Sequence, residues 1–580
     1  MFRSTPPLLS RLLLFICIVA GTTAAYWNPL KTRLVSLFDP YSFNGDALQH
    51  IAPFWTTYNK GLLANDYTIG YYKQAILPFL FRWIYDGLML VTYPPYASKL
   101  VTVFLSAAFI ALSASTAYRL AGRVVACSTL FLAVGGVLKN FYFLGGMQRG
   151  FGFCLTAAGL LATVQGNVIC LASLAVIAMP LYPAASILLY CVLALLLLVS
   201  PKGHRGSASS WSFSKRIILL GASGALCALM AMPQLFGGMH YGKRLSLTAE
   251  TKYEEWGGNG RYTQGDRGVP TGFFKDILKV TSANLLAERM SGSRKKALDE
   301  KNTFGAYVGL APSQQRIIVL TLTGFLGLVA LWFCRGKISS PSARLLMFVV
   351  AVGATYGAAV AVFPLIYIPS RYSTIGVTAL VSIVFPALWF QGSLSLTSKL
   401  VQQLQTTIGA AVCALFLVVS GWTNLPSQRI PTASGSMPLF SFIRSLPEDS
   451  VIAAWPRGIA SMIPLFSARS VLVYEEGHQI FHQDYLEEMR SRTRAVIAAF
   501  SATDAVPFQT LRNEYRVTHV LIDRRHLSKT PSYFSPFRQE IHQARQRIDT
   551  ASLFLHTLIK EGLVFEYGNL VLVDLARSGL

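Results

Sequence analysis

The sequence has 580 residues, of which 53% are hydrophobic and only 13% charged, and its mean hydropathy is +0.45. Those values exclude a water-soluble globular chain and point to a polytopic membrane protein. The formal net charge of +24 does not point to nucleic acid, and no nucleic-acid partner is expected, because Lys and Arg stand singly or in small groups between apolar runs and form no continuous basic stripe.

Apolar runs of bilayer-spanning character occur near residues 8–26, 97–118, 122–138, 150–164, 167–180, 181–200, 215–235, 314–334, 344–363, 373–391 and 405–422, which predicts about eleven transmembrane helices. The N-terminus, with Arg3 and Arg11 ahead of the apolar stretch Leu12–Ala20 and small residues behind it, also fits a cleavable signal peptide; a retained helix is preferred in a chain that continues into many spans. If the spans alternate, Arg3/Arg11, Arg119/Arg123, Lys202/Arg205/Lys215/Arg216, Arg335/Lys337/Arg344 and Lys399 share one side, which the positive-inside rule assigns to the cytoplasm. The expected organisation is a first transmembrane helix over 1–26, an external loop over 27–96 and helices 2–7 over 97–235. A long external loop over 236–313, helices 8–11 over 314–422 and an external α/β domain over 423–580 complete it.

Within the first loop, residues 75–91 are apolar but interrupted by Arg82 and Asp86, with Trp83, Tyr85 and Tyr93 nearby, which predicts an interfacial helix, or otherwise a short spanning one. The long loop carries Gly257-Gly258-Asn259-Gly260 and mixed charges, and a loop of that length is usually functional or disordered. From about Ser434 the composition becomes that of a charge-balanced α/β unit. Strands are expected at 450–455, 470–474 and 518–523, helices at 484–500 and 534–560, and a closing hairpin at 563–567 and 570–575 around Gly568-Asn569, giving a partly parallel sheet. All eight cysteines, Cys17, Cys127, Cys154, Cys170, Cys191, Cys227, Cys334 and Cys413, lie in apolar segments and read as buried hydrophobes.

The chemistry is expected in the first loop, where carboxylates stand next to hydrocarbon-soluble sequence. Asp46 and His50, four residues apart, share a helical face with Gln49 alongside, a set suited to general-base work on an acceptor hydroxyl or to holding a divalent cation beside a phosphate. Asp66, followed by Tyr67, Tyr71 and Tyr72, is the natural second acid. The competing interpretation is a set of solvated loop residues with Asp46 as a helix N-terminal charge. Cationic groups near the outer surface suit a phosphate: Lys139 and Arg149 flank the stretch from Asn140 to Gln148, and Arg371, beside Tyr372, follows Pro369 in a short turn between spans. Each is equally explained as a snorkelling interfacial residue. Farther on, His478 and His482, four residues apart with Asp484 near, are candidate metal ligands, but a solvated helix start is favoured because no third ligand has persuasive spacing.

The order of first helix, external loop with an early acidic motif and interfacial helix, uneven spans and external α/β domain resembles the GT-C superfamily of membrane glycosyltransferases. That superfamily includes protein O-mannosyltransferases, aminoarabinose transferases and the oligosaccharyltransferase catalytic subunit. Phe38-Asp39-Pro40-Tyr41 is similar to the short acidic motif of that subunit, and Asp46 matches the family's catalytic acid/base or metal ligand by position. The Trp-Trp-Asp-Tyr-Gly acceptor motif is absent, with Trp455-Pro456-Arg457-Gly458 in its place, so recognition of an asparagine sequon is not implied. The resemblance implies an inverting transfer of a sugar from a polyprenyl-phosphate carrier at the outer membrane face. Asp46 would be base or metal ligand and Asp66 the supporting acid, with Arg371, Arg149, His50 and Tyr372 at the substrate. A divalent cation is compatible with it, and no other cofactor is implied. Membrane lipid and the lipid-linked sugar are the expected partners, and a bacterial inner membrane is the expected location. The alternative is a non-catalytic membrane protein that binds or moves a lipid-linked or polymeric envelope substrate.

Overall fold

In a chain whose interior must compete with lipid, backbone groups are satisfied within helices, and the apolar runs adopt that form. The computed structural model describes residues 35–36, 38–43, 45–139, 143, 145–199, 211–245, 253–256, 261, 341–361, 371–372, 374–380, 433–546 and 548–580. The spans expected at 8–26, 314–334 and 405–422, and much of 373–391, lie outside the described residues, as does nearly all of the long loop.

The expected pair 97–118 and 122–138 falls within one helical stretch, Pro94–Lys139. A straight 46-residue helix would extend about 70 Å, more than twice a bilayer core. Gly122 interrupts it at φ +82°, a conformation that glycine reaches without a Cβ penalty. Gln148–Gln165, Val168–Ala178, Pro183–Val199, Phe213–Phe236 and Pro341–Ala361 follow. Among the described residues three helices, Pro94–Leu120, Phe213–Tyr241 and Ala343–Val360, are long and apolar enough to cross a membrane, and the chain is an integral membrane protein. The bundle core is made of small and branched side chains such as Ala157, Leu160, Leu189, Leu193, Met347 and Ala351.

The C-terminal unit is a five-stranded mixed sheet of order β2-β1-β3-β5-β4, with β1 Val451–Ala454, β2 Ser470–Val471, β3 His519–Asp523, β4 Leu563–Tyr567 and β5 Leu570–Asp574. β1 runs parallel to β2 and β3, while the β4/β5 hairpin adds antiparallel to β3. The central strands are buried on both faces, which explains their unbroken Ile, Val, Leu and Ala composition. The long charged helix expected over 534–560 is instead two helices, Phe537–Gln546 and Leu555–Gly562. Between them the Asp549 carboxylate accepts from the Ala551 N–H at 3.1 Å and starts a 3-10 turn, Thr550–Ser552, a local bond that competes with helix continuation.

The first loop is docked on this unit. Trp55 Nε1 donates to the Leu465 carbonyl at 2.8 Å, the Ala433 N–H donates to the Tyr41 carbonyl at 2.8 Å, and Tyr71 stacks on Tyr485 at 3.6 Å. The Phe79–Leu88 helix lies within the expected 75–91 stretch, with Phe81 and Tyr85 buried and Trp83 66% exposed.

A fragment of the long loop also reaches the C-terminal unit. Glu255, fully buried, receives two hydrogen bonds from Arg490, at 2.7 and 2.6 Å. Removing one member of a buried pair leaves the other charge without compensation. Glu255→Ala is expected to destabilise the solubilised protein by about 3 kcal/mol, readable as a lowered thermal midpoint; an unchanged midpoint would mean that this pair does not hold the loop.

Candidate functional site

The Gly45–Ile51 helix is only seven residues long, too short to persist by itself, and tertiary contacts hold it. Its acidic residue stands in the first turn and its histidine in the last, while Ala47, Leu48 and Ile51 are buried. Lys99 fastens the segment before it: the buried ammonium donates to the carbonyls of Ser36, at 2.9 Å, and Ser42, and lies 4.4 Å from the centre of the Phe43 ring. Asp39, of the acidic motif, accepts from the Tyr41 N–H at 3.0 Å and so shapes the turn.

Behind the helix runs Gly145-Gly146, with φ of +104° and +60°. A Cβ at Gly145 would overlap Ala47, and one at Gly146 would overlap Ser98 and Tyr85, so close approach and backbone conformation both call for glycine there. This turn delivers the first two residues of the Gln148–Gln165 helix onto the first loop. Arg149 forms an ion pair with Asp46 at 2.9 Å, and Gln148 Nε2 donates to His50 Nδ1 at 3.2 Å. The side chains of Asp46 and Arg149 are 30% and 11% exposed, so the carboxylate is open to a ligand while its partner is mostly covered.

Burial pushes the Asp46 carboxyl up, but Arg149, followed by Arg371 and Arg261, outweighs it and holds the group below its ordinary value. His50 is pushed down to about 3, by burial first, with Arg149 and Arg371 adding to the effect against Asp46. It is therefore neutral at physiological pH. With Nδ1 accepting from Gln148, its proton sits on Nε2.

The C-terminal unit closes the other side. Glu476 Oε2 accepts from Arg261 at 2.6 Å and from Gln49 Nε2 at 3.4 Å, and the Glu476 carbonyl accepts from the Tyr72 hydroxyl at 2.8 Å. Arg371 stands at the start of a helical stretch, 371–372 and 374–380, close enough to Asp46 and His50 to act on both electrostatically. Tyr372 beside it is buried. Asp46, His50, Arg149 and Arg371, singled out from sequence, are thus brought into one group, to which Arg261, Glu476 and Gln148 are added.

Asp66 has different surroundings. It caps the Tyr67–Tyr71 helix by accepting from the Ile69 N–H at 2.9 Å, with Arg492 and Ser470 as further neighbours, and burial raises its carboxyl above the ordinary value. His478 and His482, expected at a solvated helix start, are buried instead. His478 is packed edge-on against Phe534 and Phe537, and His482 hydrogen-bonds the Tyr71 hydroxyl at 2.9 Å. Among the described residues no group of three or more His, Cys, Asp or Glu is placed to hold a metal ion. The Asp46 group fits a divalent cation poorly, because its carboxylates already face guanidinium groups whose charge opposes a second cation. It fits an anion.

Burial also holds His478 down to about 3, with Arg261 and Arg490 contributing, and His482 down to about 4, with Arg244 and His240 contributing. A histidine that stays neutral when folded but takes up a proton when unfolded costs stability as pH falls below about 6.5. Each contributes about 1.4 kcal/mol per pH unit in that window, which ends at the folded value, and contributes nothing further above it. The thermal midpoint is therefore expected to fall steadily from pH 7 to pH 5, less steeply in His478→Phe. A midpoint independent of pH over that range would contradict the buried neutral histidines.

These features define an integral membrane chain with an arginine-rich, carboxylate-bearing site where the first loop, helix ends and an α/β unit meet. Its three-dimensional course is similar to that of ArnT from Cupriavidus metallidurans in the apo state, at 12% identity over 95% of this chain and 98% of that one, with a TM-score of 0.43. ArnT from the same organism bound to undecaprenyl phosphate matches at 12% identity over 95% and 98%, with a TM-score of 0.38. The Archaeoglobus fulgidus oligosaccharyltransferase AglB, in complex with an inhibitory peptide and a dolichol-phosphate, matches at 12% identity over 95% and 74%, with a TM-score of 0.40. No family model matches the sequence, and no curated protein matches it.

Proposed function

We propose that this chain is an integral membrane glycosyltransferase that moves a sugar from a polyprenyl-phosphate-linked donor to an acceptor hydroxyl at the outer face of a bacterial inner membrane. The proposed arrangement is about eleven spans with the α/β unit outside the cytoplasm. The observation that carries the reading is the Asp46–Arg149 ion pair set in the shared field of Arg371 and Arg261.

In the transfer, the acceptor oxygen bonds to the anomeric carbon as the bond from that carbon to the phosphate oxygen breaks, with inversion. The acceptor proton passes to Asp46, and polyprenyl phosphate leaves with the additional negative charge. Arg371 and Arg261 stabilise that charge through donors already in place, the condition under which electrostatic catalysis is effective. Arg149 keeps Asp46 ionised and oriented, so the base is in its proton-accepting form at neutral pH. His50 offers an Nε2–H donor, Tyr372 lines the wall near Arg371, and Asp66 acts at a distance by fixing the Tyr67–Tyr71 helix. No step is routed through a metal.

Incubating the purified protein with polyprenyl-phosphoryl hexoses, pentoses and N-acetylhexosamines tests the reading. Time-dependent release of polyprenyl phosphate from at least one donor is the expected result. Binding of bare carrier with no release from any donor would favour the non-catalytic carrier-binding alternative.

A further inference from the structure

Gln49 lies on the Gly45–Ile51 helix three residues after Asp46 and one before His50, and it is 4% exposed. Its amide nitrogen is engaged by Glu476 at 3.4 Å. Its amide oxygen is buried and has no hydrogen-bond partner among the described residues. The carboxylate fixes which way the amide points, because reversal would set the carbonyl oxygen against a second acceptor. The neighbouring Asp46 and Glu476 carboxylates accept from guanidinium groups, whereas Gln49 Oε1, among the described residues, is a buried acceptor without a donor. A buried carbonyl is costly to leave unmatched, and a ligand that supplies an O–H or N–H there gains from matching it.

We propose that Gln49 is a specificity-determining residue whose amide oxygen accepts a hydrogen bond from a hydroxyl of the donor sugar, while the arginines hold the phosphate attached to it. The inference rests on the glycosyltransferase reading and deepens it. It places the sugar against the Gly45–Ile51 helix, one turn from Asp46, and makes Glu476 of the α/β unit the group that aims the amide. A site that hydrogen-bonds a substrate hydroxyl discriminates strongly against analogues lacking it, because its own buried polar group is then left unpaired.

The test compares bare undecaprenyl phosphate with undecaprenyl-phosphoryl hexose, pentose and N-acetylhexosamine, by affinity to the purified full chain, for wild type, Gln49→Met and Gln49→Asn. Wild type should bind at least one sugar-linked carrier more tightly than bare carrier, and Gln49→Met should lose about tenfold of that affinity while binding bare carrier unchanged. Gln49→Asn keeps an amide but shortens its reach, and should show the same selective loss, so that a fold defect in the Met variant does not decide the outcome. Equal loss of bare and sugar-linked carrier, or no loss of either, overturns the inference. So does an unchanged donor affinity accompanied by a raised KM for the acceptor, which would assign the amide to the acceptor instead. Bare carrier bound with no gain from any sugar overturns this inference alone, whereas no carrier bound by wild type overturns the underlying reading.

Discussion

Asp46→Asn is expected to lower sugar transfer by about 10²- to 10⁴-fold while leaving carrier retention in place, the range by which a positioned general base contributes. The substitution keeps shape and hydrogen-bonding capacity but removes the charge that Arg149 faces at 2.9 Å. The surrounding guanidiniums then carry more uncompensated positive charge, so a phosphate should bind as well as before or slightly better. That combination, chemistry lost and anion affinity kept, separates a base from a binding residue. A variant that transfers at the wild-type rate would remove Asp46 from the mechanism, and one that loses carrier and activity together would mean that the helix had collapsed.

Arg371→Ala should produce the opposite pattern. A guanidinium hydrogen-bonded to phosphate is worth about 1.5–3 kcal/mol, so retention of polyprenyl phosphate should weaken by roughly 10- to 100-fold. Arg371→Lys keeps the charge without the two-pronged geometry and should recover only part of the loss. Native mass spectrometry of the purified proteins reads both effects. Because Arg371 also acts on Asp46 and His50, its removal should raise the lower pH limit of activity as well as the carrier requirement. Retention equal to wild type in both variants would show that the phosphate is held elsewhere.

Local patterns made some of this legible in the sequence. Apolar runs locate Gln148–Gln165, Val168–Ala178, Pro183–Val199, Phe213–Phe236 and Pro341–Ala361 to within a few residues, because apolar sequence away from water satisfies its backbone groups within helices. The spacing from Asp46 to His50 identifies a shared helical face, since that periodicity belongs to the helix itself. What depends on tertiary closure was not legible. Arg149 reads from sequence as a phosphate cation; its pairing with Asp46 follows from the Gly145-Gly146 turn, which no spacing rule reports. Glu476 lies 427 residues from Gln49 and 215 from Arg261, so its place in the group exists only once the α/β unit docks.

Asp66 shows how one residue fits two patterns at once. A carboxylate followed by three tyrosines resembles a catalytic acid, yet Asp is also a preferred helix N-cap, and the bond from Asp66 to the Ile69 N–H expresses that preference. Charge patterning continues through Asp549 and so predicts one helix over 534–560, while the local bond from Ala551 N–H to the Asp549 carboxylate ends the regular backbone there. His478 follows Glu475-Glu476-Gly477 in sequence and reads as solvated; Phe534, Phe537 and Glu255, from distant segments, pack around it.

The most direct test of the account is an experimental structure of the wild-type protein with undecaprenyl phosphate bound. The phosphate is expected within about 3 Å of the Arg371 guanidinium, beside Arg261 and facing the Asp46–Arg149 pair. A phosphate seated away from Arg371 and the Asp46–Arg149 pair would show that the site lies elsewhere.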